Sequence, residues 1–506
     1  MDWKAAVAWL QTRTNTPHCS LVIHPRLHAQ LKSRGVRLFI PEENGKRRRV
    51  CSRRLCHAAA VQHISDEFPA QKKPLPKANC YGCGIQLQTD TPEAAGFVLP
   101  DKFALKHKHK QLDQLLCGRC HELSHGAMVA AVEDFTQRSS GAATINGRRL
   151  VTPEELRRQL AVVKDTRAIA VLLVDVLDAS GSFLSRVRDF VGKNPVVLVG
   201  TKADLLPAGT DERDVLAWLL DTAAFKQLNT ISTHLVSSRT GAGVSEAAAA
   251  ILRERRGRDV FMLGAANVGK SAFVRALIQE MSRMTSVHFD PAAVGSSKHL
   301  PVESAMPGTT LSMIPLQTFA SGGELYDTPG VHLHHRLPHM LTPEELQEVH
   351  PRRKLRPYVA PALQAHPASQ RASLTYMWGA LARFDVLDAP DGAQLVFYGP
   401  PAFKVHSLPL CGPADKPHLA PDAEEPLFGT PSVVARGGLR VAKEVTLQST
   451  SAQAAVADIA ISGMSGWAAV YLPAARASMT LRVWAPVGVE VYVRPALPVP
   501  NPIQGT

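Results

Sequence analysis

Gly264-Ala265-Ala266-Asn267-Val268-Gly269-Lys270-Ser271 follows an apolar run at 260–263 and precedes a helix-like stretch at 271–278. Strand, glycine-bounded loop, Lys-Ser and helix together make the context of a phosphate-binding P-loop. Gly264 and Gly269 let the loop turn, and the N–H groups of the residues between them point to phosphate. Lys270 brings a cation to the β- and γ-phosphates, and Ser271 offers a hydroxyl to Mg²⁺.

Four further stretches complete a guanine-nucleotide site, in a rotated order. Thr201-Lys202-Ala203-Asp204 and Ser237-Ser238-Arg239 come before the P-loop, whereas Pro307-Gly308-Thr309-Thr310 and Asp327-Thr328-Pro329-Gly330 come after it. The Asp204 carboxylate can accept from guanine N1–H and the 2-amino group together, a donor pair that adenine lacks. Losing such a charged hydrogen-bond pair costs about 2–3 kcal/mol, enough to separate GTP from ATP. Lys202 is expected along the base plane, and the Ser238 N–H at guanine O6. Thr201 stands where Asn is usual, which puts the bracing contacts of that amide in doubt. Taken alone, Thr-Lys-x-Asp also fits a plain turn; its place after a buried strand, 33 residues before Ser237, favours the base-reading role.

Thr310 is the expected switch threonine on Mg²⁺, with Thr309 as the alternative. Asp327 is expected to hold Mg²⁺ through water, and the Gly330 N–H to meet the γ-phosphate. Val331 occupies the position of the water-orienting glutamine, and an apolar side chain cannot orient water. Asn267 suggests a K⁺ ion as substitute charge stabiliser, hence slow, K⁺-stimulated turnover.

At 506 residues the chain has room for several domains at ~100–200 residues each. No run of about 18 apolar residues appears, and Met1-Asp2-Trp3-Lys4 does not start a secretory signal. The net charge of +13 is skewed: residues 1–125 hold 20 Lys and Arg against 10 Asp and Glu. That skew favours a polyanion partner and salt-dependent contact with phosphates, against the plainer reading of a solvated basic face. No haem or flavin signature is present.

Four of the eight cysteines form Cys80-x₂-Cys83-x₃₃-Cys117-x₂-Cys120. Two thiolate knuckles of this kind enclose a tetrahedral Zn²⁺ in a treble-clef-like module; redox dithiols are the rival. His121 and His125 read as neighbours of the site. Between the knuckles, Lys106-His107-Lys108-His109-Lys110 either offsets the thiolate charge or faces RNA phosphates. Cys19, Cys51, Cys56 and Cys411 read as ordinary thiols, with Cys51 and Cys56 as a weaker candidate metal pair.

These features divide the chain into a basic extension (1–75), a four-cysteine zinc module (76–126), a G domain (150–345) and a C-terminal domain rich in β-structure (346–506). Short apolar runs at 169–174, 196–199, 233–236 and 260–263 alternate with helical stretches, so an α/β fold with a buried parallel sheet is expected. His332, His334 and His335 follow the switch loop and read as a mobile hinge or RNA-facing segment more than as a metal cluster. Rotated order sends the second switch directly into the C-terminal half, so its ordering would be passed there.

The motifs resemble the circularly permuted GTPases of the YqeH type, and most of all their plant organellar, nitric-oxide-associated branch. The resemblance covers about residues 78–500. It is carried by Cys80-Tyr81-Gly82-Cys83-Gly84, Cys117-Gly118-Arg119-Cys120-His121, the P-loop, Pro-Gly-Thr-Thr, the run from Tyr326 to Arg336, Trp378-Gly379-Ala380-Leu381-Ala382-Arg383 and Phe397-Tyr398-Gly399-Pro400. It implies a circularly permuted Ras-like G domain that hydrolyses GTP with Mg²⁺. It also implies an assembly role on the small ribosomal subunit through rRNA, as a monomer, in the chloroplast or else the mitochondrion. The rival reading is a GTP-regulated zinc scaffold that binds a protein partner with negligible turnover.

Overall fold

The computed structural model describes residues 39–41, 47–49, 78–127, 153–410 and 430–503, except 93, 185, 284–286, 305, 307, 369 and 452–453. The chain forms two compact units, Met1–Pro74 and Leu75–Thr506. In the first, the described residues make an antiparallel hairpin, Phe39–Pro41 with Arg47–Arg49. The rest of the basic extension, Cys19, Cys51, Cys56, Cys411 and Pro307 lie outside the described residues.

The second unit is built on a six-stranded sheet. Its strands are β1 (Ala168–Asp175), β2 (Val196–Thr201), β3 (Ser232–Leu235), β4 (Asp259–Gly264), β5 (Ile314–Leu316) and β6 (Leu325–Asp327). Their order across the sheet is β3-β2-β1-β4-β6-β5. All neighbours are parallel except the edge strand β5, which runs antiparallel to β6. β1 is buried along its whole length. Its unbroken Ala-Ile-Ala-Val-Leu-Leu-Val run is therefore the sequence of a strand covered on both faces, without polar alternation.

The order in which strands are added reverses between the parallel neighbours β1 and β4: from β1 the sheet grows to β2 and β3, from β4 to β6 and β5. Ligands of open α/β sheets bind beyond the carboxyl ends of the strands at such a switch point. The Thr-Lys-Ala-Asp loop, the Ser-Ser-Arg loop, the P-loop and the Asp327 loop all leave carboxyl ends of these parallel strands. The rotation in sequence thus leaves the motifs at one end of one sheet.

The four-cysteine module carries helices Pro100–Lys108 and Gly118–Ser124, the first opening with proline at its start. After the G domain come two five-stranded antiparallel sheets. One orders Val405–Leu408, Ala372–Trp378, Ala382–Ala389, Ser478–Pro486 and Leu439–Gln448; the other orders Val491–Arg494, Ala455–Ile461, Trp467–Tyr471, Gln394–Gly399 and Arg356–Val359. They pack through an aromatic cluster in which Trp378 lies 5.3 Å from Phe397 and Phe384 lies 5.5 Å from Phe397. The expected β-rich C-terminal half is present.

The central strands of the second sheet, Ala455–Ile461, Trp467–Tyr471 and Gln394–Gly399, are buried on both faces. Leu395, Phe397, Ala468 and Val470 face the sandwich core, and the alternate residues Val396, Tyr398, Trp467, Ala469 and Tyr471 join the hydrophobic core of the G domain. Two-residue alternation thus sends every other side chain to a different domain. Trp218 of helix Glu212–Phe225 adds a hydrogen bond from Nε1 to the Pro495 carbonyl at 3.0 Å. Among the described residues, no helix is long and apolar enough to cross a membrane.

Candidate nucleotide site

The P-loop leaves β4 through Gly264, where a Cβ would lie 2.6 Å from the Leu173 carbonyl oxygen of β1. Only a residue without a side chain fits that approach. The loop re-enters helix Lys270–Ser282 through Gly269 at φ +87°, and Asn267 also holds a left-handed φ of +64°. Lys270 is buried and its ammonium donates to the Ala265 carbonyl at 3.0 Å. Burial lowers its pKa to about 8, against the opposing pull of Asp327.

Three oxygen groups converge beside it. Ser271 Oγ lies 2.8 Å from Asp327 Oδ2 and 3.1 Å from Thr310 Oγ1, and Thr310 Oγ1 lies 3.2 Å from the same carboxylate oxygen. Thr309 turns its hydroxyl to the Met306 carbonyl at 2.8 Å, so Thr310, not its neighbour, joins this group. The Asp327 carboxyl is fully buried, which raises its pKa, and its Oδ1 has no partner among the described residues. Two hydroxyls and a carboxylate with a buried, unpaired oxygen are a hard-donor set that fits Mg²⁺.

Gly330 packs on the P-loop, where a Cβ would fall 2.8 Å from the Ala266 Cα. The next residue extends the pairing: Val331 N–H donates to the Gly264 carbonyl and Ala266 N–H donates to the Val331 carbonyl, both at 3.0 Å. This narrows the expected phosphate cradle, because the Ala266 N–H is already engaged. Thr328 is likewise turned inward, its hydroxyl donating to the Met262 carbonyl of β4.

On the other side of the P-loop, Asp204 Oδ1 accepts from Ser237 Oγ at 2.8 Å, and Oδ2 pairs with Arg239 at 2.8 Å. The 201–204 and 237–239 stretches, separated in sequence, therefore meet at one carboxylate. Each carboxylate oxygen keeps a further lone-pair site for another donor. Lys202, at φ +65°, pairs its ammonium with Asp175 Oδ2 at 2.6 Å. Thr201 donates its hydroxyl to the Val268 carbonyl of the P-loop at 2.6 Å. The bracing doubted at this position is thus made by a hydroxyl in place of an amide.

Sequence reading passed over three residues here. Asp175, which orients Lys202, was visible as an acid ending an apolar run. Asp178 left no such signal, and Arg336 appeared only as the last residue of the run from Tyr326, with no role assigned. They form a buried ion pair at 3.0 Å; Arg336 Nη1 also donates to the Ala266 carbonyl, and Asp178 Oδ2 accepts from the Gly463 N–H at 2.8 Å. P-loop, second-switch exit and C-terminal sandwich meet at this pair. The stretch 336–338, just beyond the histidines expected as a mobile hinge or RNA-facing segment, is buried, and of those three histidines only His334 is exposed. His332 and His339 stack at 4.0 Å within the same packed segment.

In the four-cysteine module, Cys80, Cys83, Cys117 and Cys120 are fully buried, with all four Sγ atoms within 4.8 Å of one another. Four converging thiols fit one tetrahedral Zn²⁺. His121 and His125 stack on each other at 4.4 Å outside that group. The side chains of 107–110 are exposed, and Lys106 donates to Gln111 Oε1 at 2.9 Å.

No family model matches the chain. A protein of Oryza sativa subsp. japonica named as a nitric oxide synthase is 39% identical over 444 residues, covering 83% of this chain and 78% of that protein. NO-associated protein 1, chloroplastic/mitochondrial, of Arabidopsis thaliana is 38% identical, covering 83% of this chain and 76% of that protein. This chain belongs to the NO-associated protein 1 and YqeH family. YqeH of Bacillus subtilis (strain 168) is 27% identical over 84% of this chain and 100% of its own length. A solved GNP-bound YlqF from T. maritima aligns with 35% of this chain and 58% of its own at 16% identity, with a TM-score of 0.22, too low to establish a shared fold.

Proposed function

We propose that this family member binds and hydrolyses GTP and acts in assembly of the small ribosomal subunit of an organelle. The observation that carries the reading is the meeting of Ser271, Thr310 and Asp327 beside the buried Lys270. The Asp204–Ser237 pair stands on the other flank of the same loop. Residues from five separated stretches of chain thereby surround one phosphate-loop fold.

In this reading Asp204 accepts from the guanine edge, with Ser237 and Arg239 fixing its carboxylate and Ser238 N–H serving O6. Lys202, aligned by Asp175, lies along the base, and Thr201 holds the P-loop against it. The N–H groups of the loop other than that of Ala266, together with the Lys270 ammonium, bind phosphate oxygens. Ser271, Thr310 and Asp327 hold Mg²⁺, which when bound neutralises charge on the transferring phosphoryl group. Gly330 brings a backbone N–H to the γ-phosphate side. Val331 offers nothing to the attacking water, so turnover is slow, with Asn267 as the ligand for a stimulating K⁺. Cys80, Cys83, Cys117 and Cys120 hold structural Zn²⁺.

The exposed basic run 107–110 and the basic N-terminal third support an rRNA partner. The name of the Arabidopsis relative supports an organelle, and we assign the chloroplast. Co-sedimentation with ribosomal subunits tests this. Binding should depend on a GTP analogue over GDP and weaken at least tenfold between 50 and 200 mM salt. Binding indifferent to both nucleotide and salt would sink the RNA reading. Lys270→Ala should abolish nucleotide binding in a fluorescent-GDP titration, a loss of at least a hundredfold.

A further inference from the structure

The Cys80-Tyr81-Gly82-Cys83-Gly84 knuckle turns its outer side to the loop that carries Thr310. The Gly82 carbonyl accepts from the Val302 N–H at 3.1 Å, and the Cys83 carbonyl accepts from both Leu311 N–H at 2.9 Å and Ser312 N–H at 3.0 Å. A Cβ at Gly84, where φ is +76°, would fall 2.6 Å from the Ser312 carbonyl oxygen; at Gly82 it would fall 2.8 Å from the Val302 side chain. Tyr81 meets His299 edge-on at 5.2 Å. Tyr81 and the backbone of Gly82, Cys83 and Gly84 thus all meet the switch loop or the chain leading into it.

The second knuckle holds the same loop from the other side. Arg119, inside Cys117-Gly118-Arg119-Cys120, donates from Nη2 to the carbonyls of Gly308 at 2.8 Å and Thr309 at 3.1 Å. Its Nε and Nη1 are buried without a partner among the described residues. Hydrogen bonds from a desolvated guanidinium to backbone oxygens are worth more than the same bonds in water. The two residues before Thr310 are thus held by their carbonyls, and the two after it by their N–H groups.

We infer that Arg119 is a positioning residue for the Thr310 hydroxyl, and that the four-cysteine module clamps the nucleotide-sensing loop through it. The inference rests on the GTP reading above for the role of Thr310, but not for the contact itself. Ordering backbone costs about 1–2 kcal/mol per residue, and GTPase switch loops ordinarily gain that order from the γ-phosphate and its Mg²⁺. Here the metal module supplies the order from outside the G domain. Lysine cannot replace Arg119 in full, because an ammonium on a flexible stem lacks the planar fork of a guanidinium.

The test uses the full chain as wild type, Arg119→Ala and Arg119→Lys. Zinc content by metal analysis and GDP affinity come first, and both should stay within twofold of wild type. Amide hydrogen exchange at Leu311 and Ser312, measured without nucleotide, should speed up at least tenfold in Arg119→Ala and less in Arg119→Lys. Half-maximal turnover should then need several-fold more Mg²⁺, with kcat falling more than KM rises. Wild-type exchange and wild-type Mg²⁺ dependence in both variants would overturn the inference. If Arg119→Ala loses zinc, Arg119→Lys decides on the same two readouts. A wild-type protein that binds no guanine nucleotide would instead overturn the functional reading, while the exchange rates would still decide the clamp.

Discussion

The base-reading side of the site and the phosphate-sensing side are built in different ways. Around Asp204 the carboxylate is held from within the G domain by Ser237 and Arg239, and Thr201 reaches across to Val268; one tie leads outward, from Arg239 to the Arg352 carbonyl at 2.8 Å. Around Thr310 and Gly330 the supports come from other modules. Arg119 and Cys83 hold the first switch from the four-cysteine module, while Arg336 and Asp178 tie the second to Gly463 of the sandwich. On the proposed reading, the groups that would meet the base are held mostly by G-domain neighbours, and the loops that would sense phosphate are held also by the flanking modules. On that reading a change at the γ-phosphate bears on contacts with both flanking modules, and a change of base bears first on Ser237 and Arg239.

The comparison breaks most sharply at the Arg336–Asp178 pair. Arg336→Met leaves the buried Asp178 carboxylate without its cation, with the Gly463 N–H still donating to Oδ2; breaking a buried pair costs about 3–5 kcal/mol. Chemical denaturation should show a loss of that order. If the pair is instead a surface-like contact, the loss will stay below about 1 kcal/mol.

Asp204→Asn attacks the other side. It should lower GTP affinity by about 2–3 kcal/mol and shift preference toward xanthosine nucleotides, with unfolding midpoint little changed. An equal loss for GTP and XTP would show that this carboxylate does not read the base.

Lys270 gives a pH test. Its folded-state pKa of about 8 lies below the ordinary lysine value, so the apo protein gains stability as pH rises from about 8 toward 10.5. Phosphate binding needs the protonated form, so the sign for affinity is opposite. GDP should bind about tenfold more weakly at pH 9 than at pH 7, since one pKa unit is about 1.4 kcal/mol. A flat profile in fluorescent-GDP titrations would refute this.

Thr201→Val is the mildest probe. It removes the donor to Val268 and leaves that carbonyl unmatched, at about 1 kcal/mol. Nucleotide affinity should fall several-fold with base preference intact; Thr201→Asn should restore it if an amide can make the same brace.

Much of this architecture was legible in the residues. Unbroken apolar runs ended in the strands β1, β2 and β4 within a residue or two, because a strand covered on both faces needs no polar alternation. β3, at the sheet edge, is the exception, with Thr233 and His234 in it and only Leu235 buried. The Cys80/Cys83 and Cys117/Cys120 spacing was legible for a chemical reason, since thiolates that share a metal must sit in pairs. Less readable was the packing of 332–339: its His, Arg and Pro content resembled a solvated hinge, and only the pairing with Asp178 makes Arg336 an interior residue.

Composition and spacing alone determined that a phosphate-loop motif, candidate guanine-reading stretches and two cysteine pairs exist here, because each motif depends on a few residues close in sequence. The fold decided what supports them. Arg119 lies 189 residues from Gly308, and Asp178 lies 158 from Arg336. No local periodicity constrains partners so distant; closing the sheet and docking the two flanking modules brings them together, and desolvation then makes those few polar contacts matter.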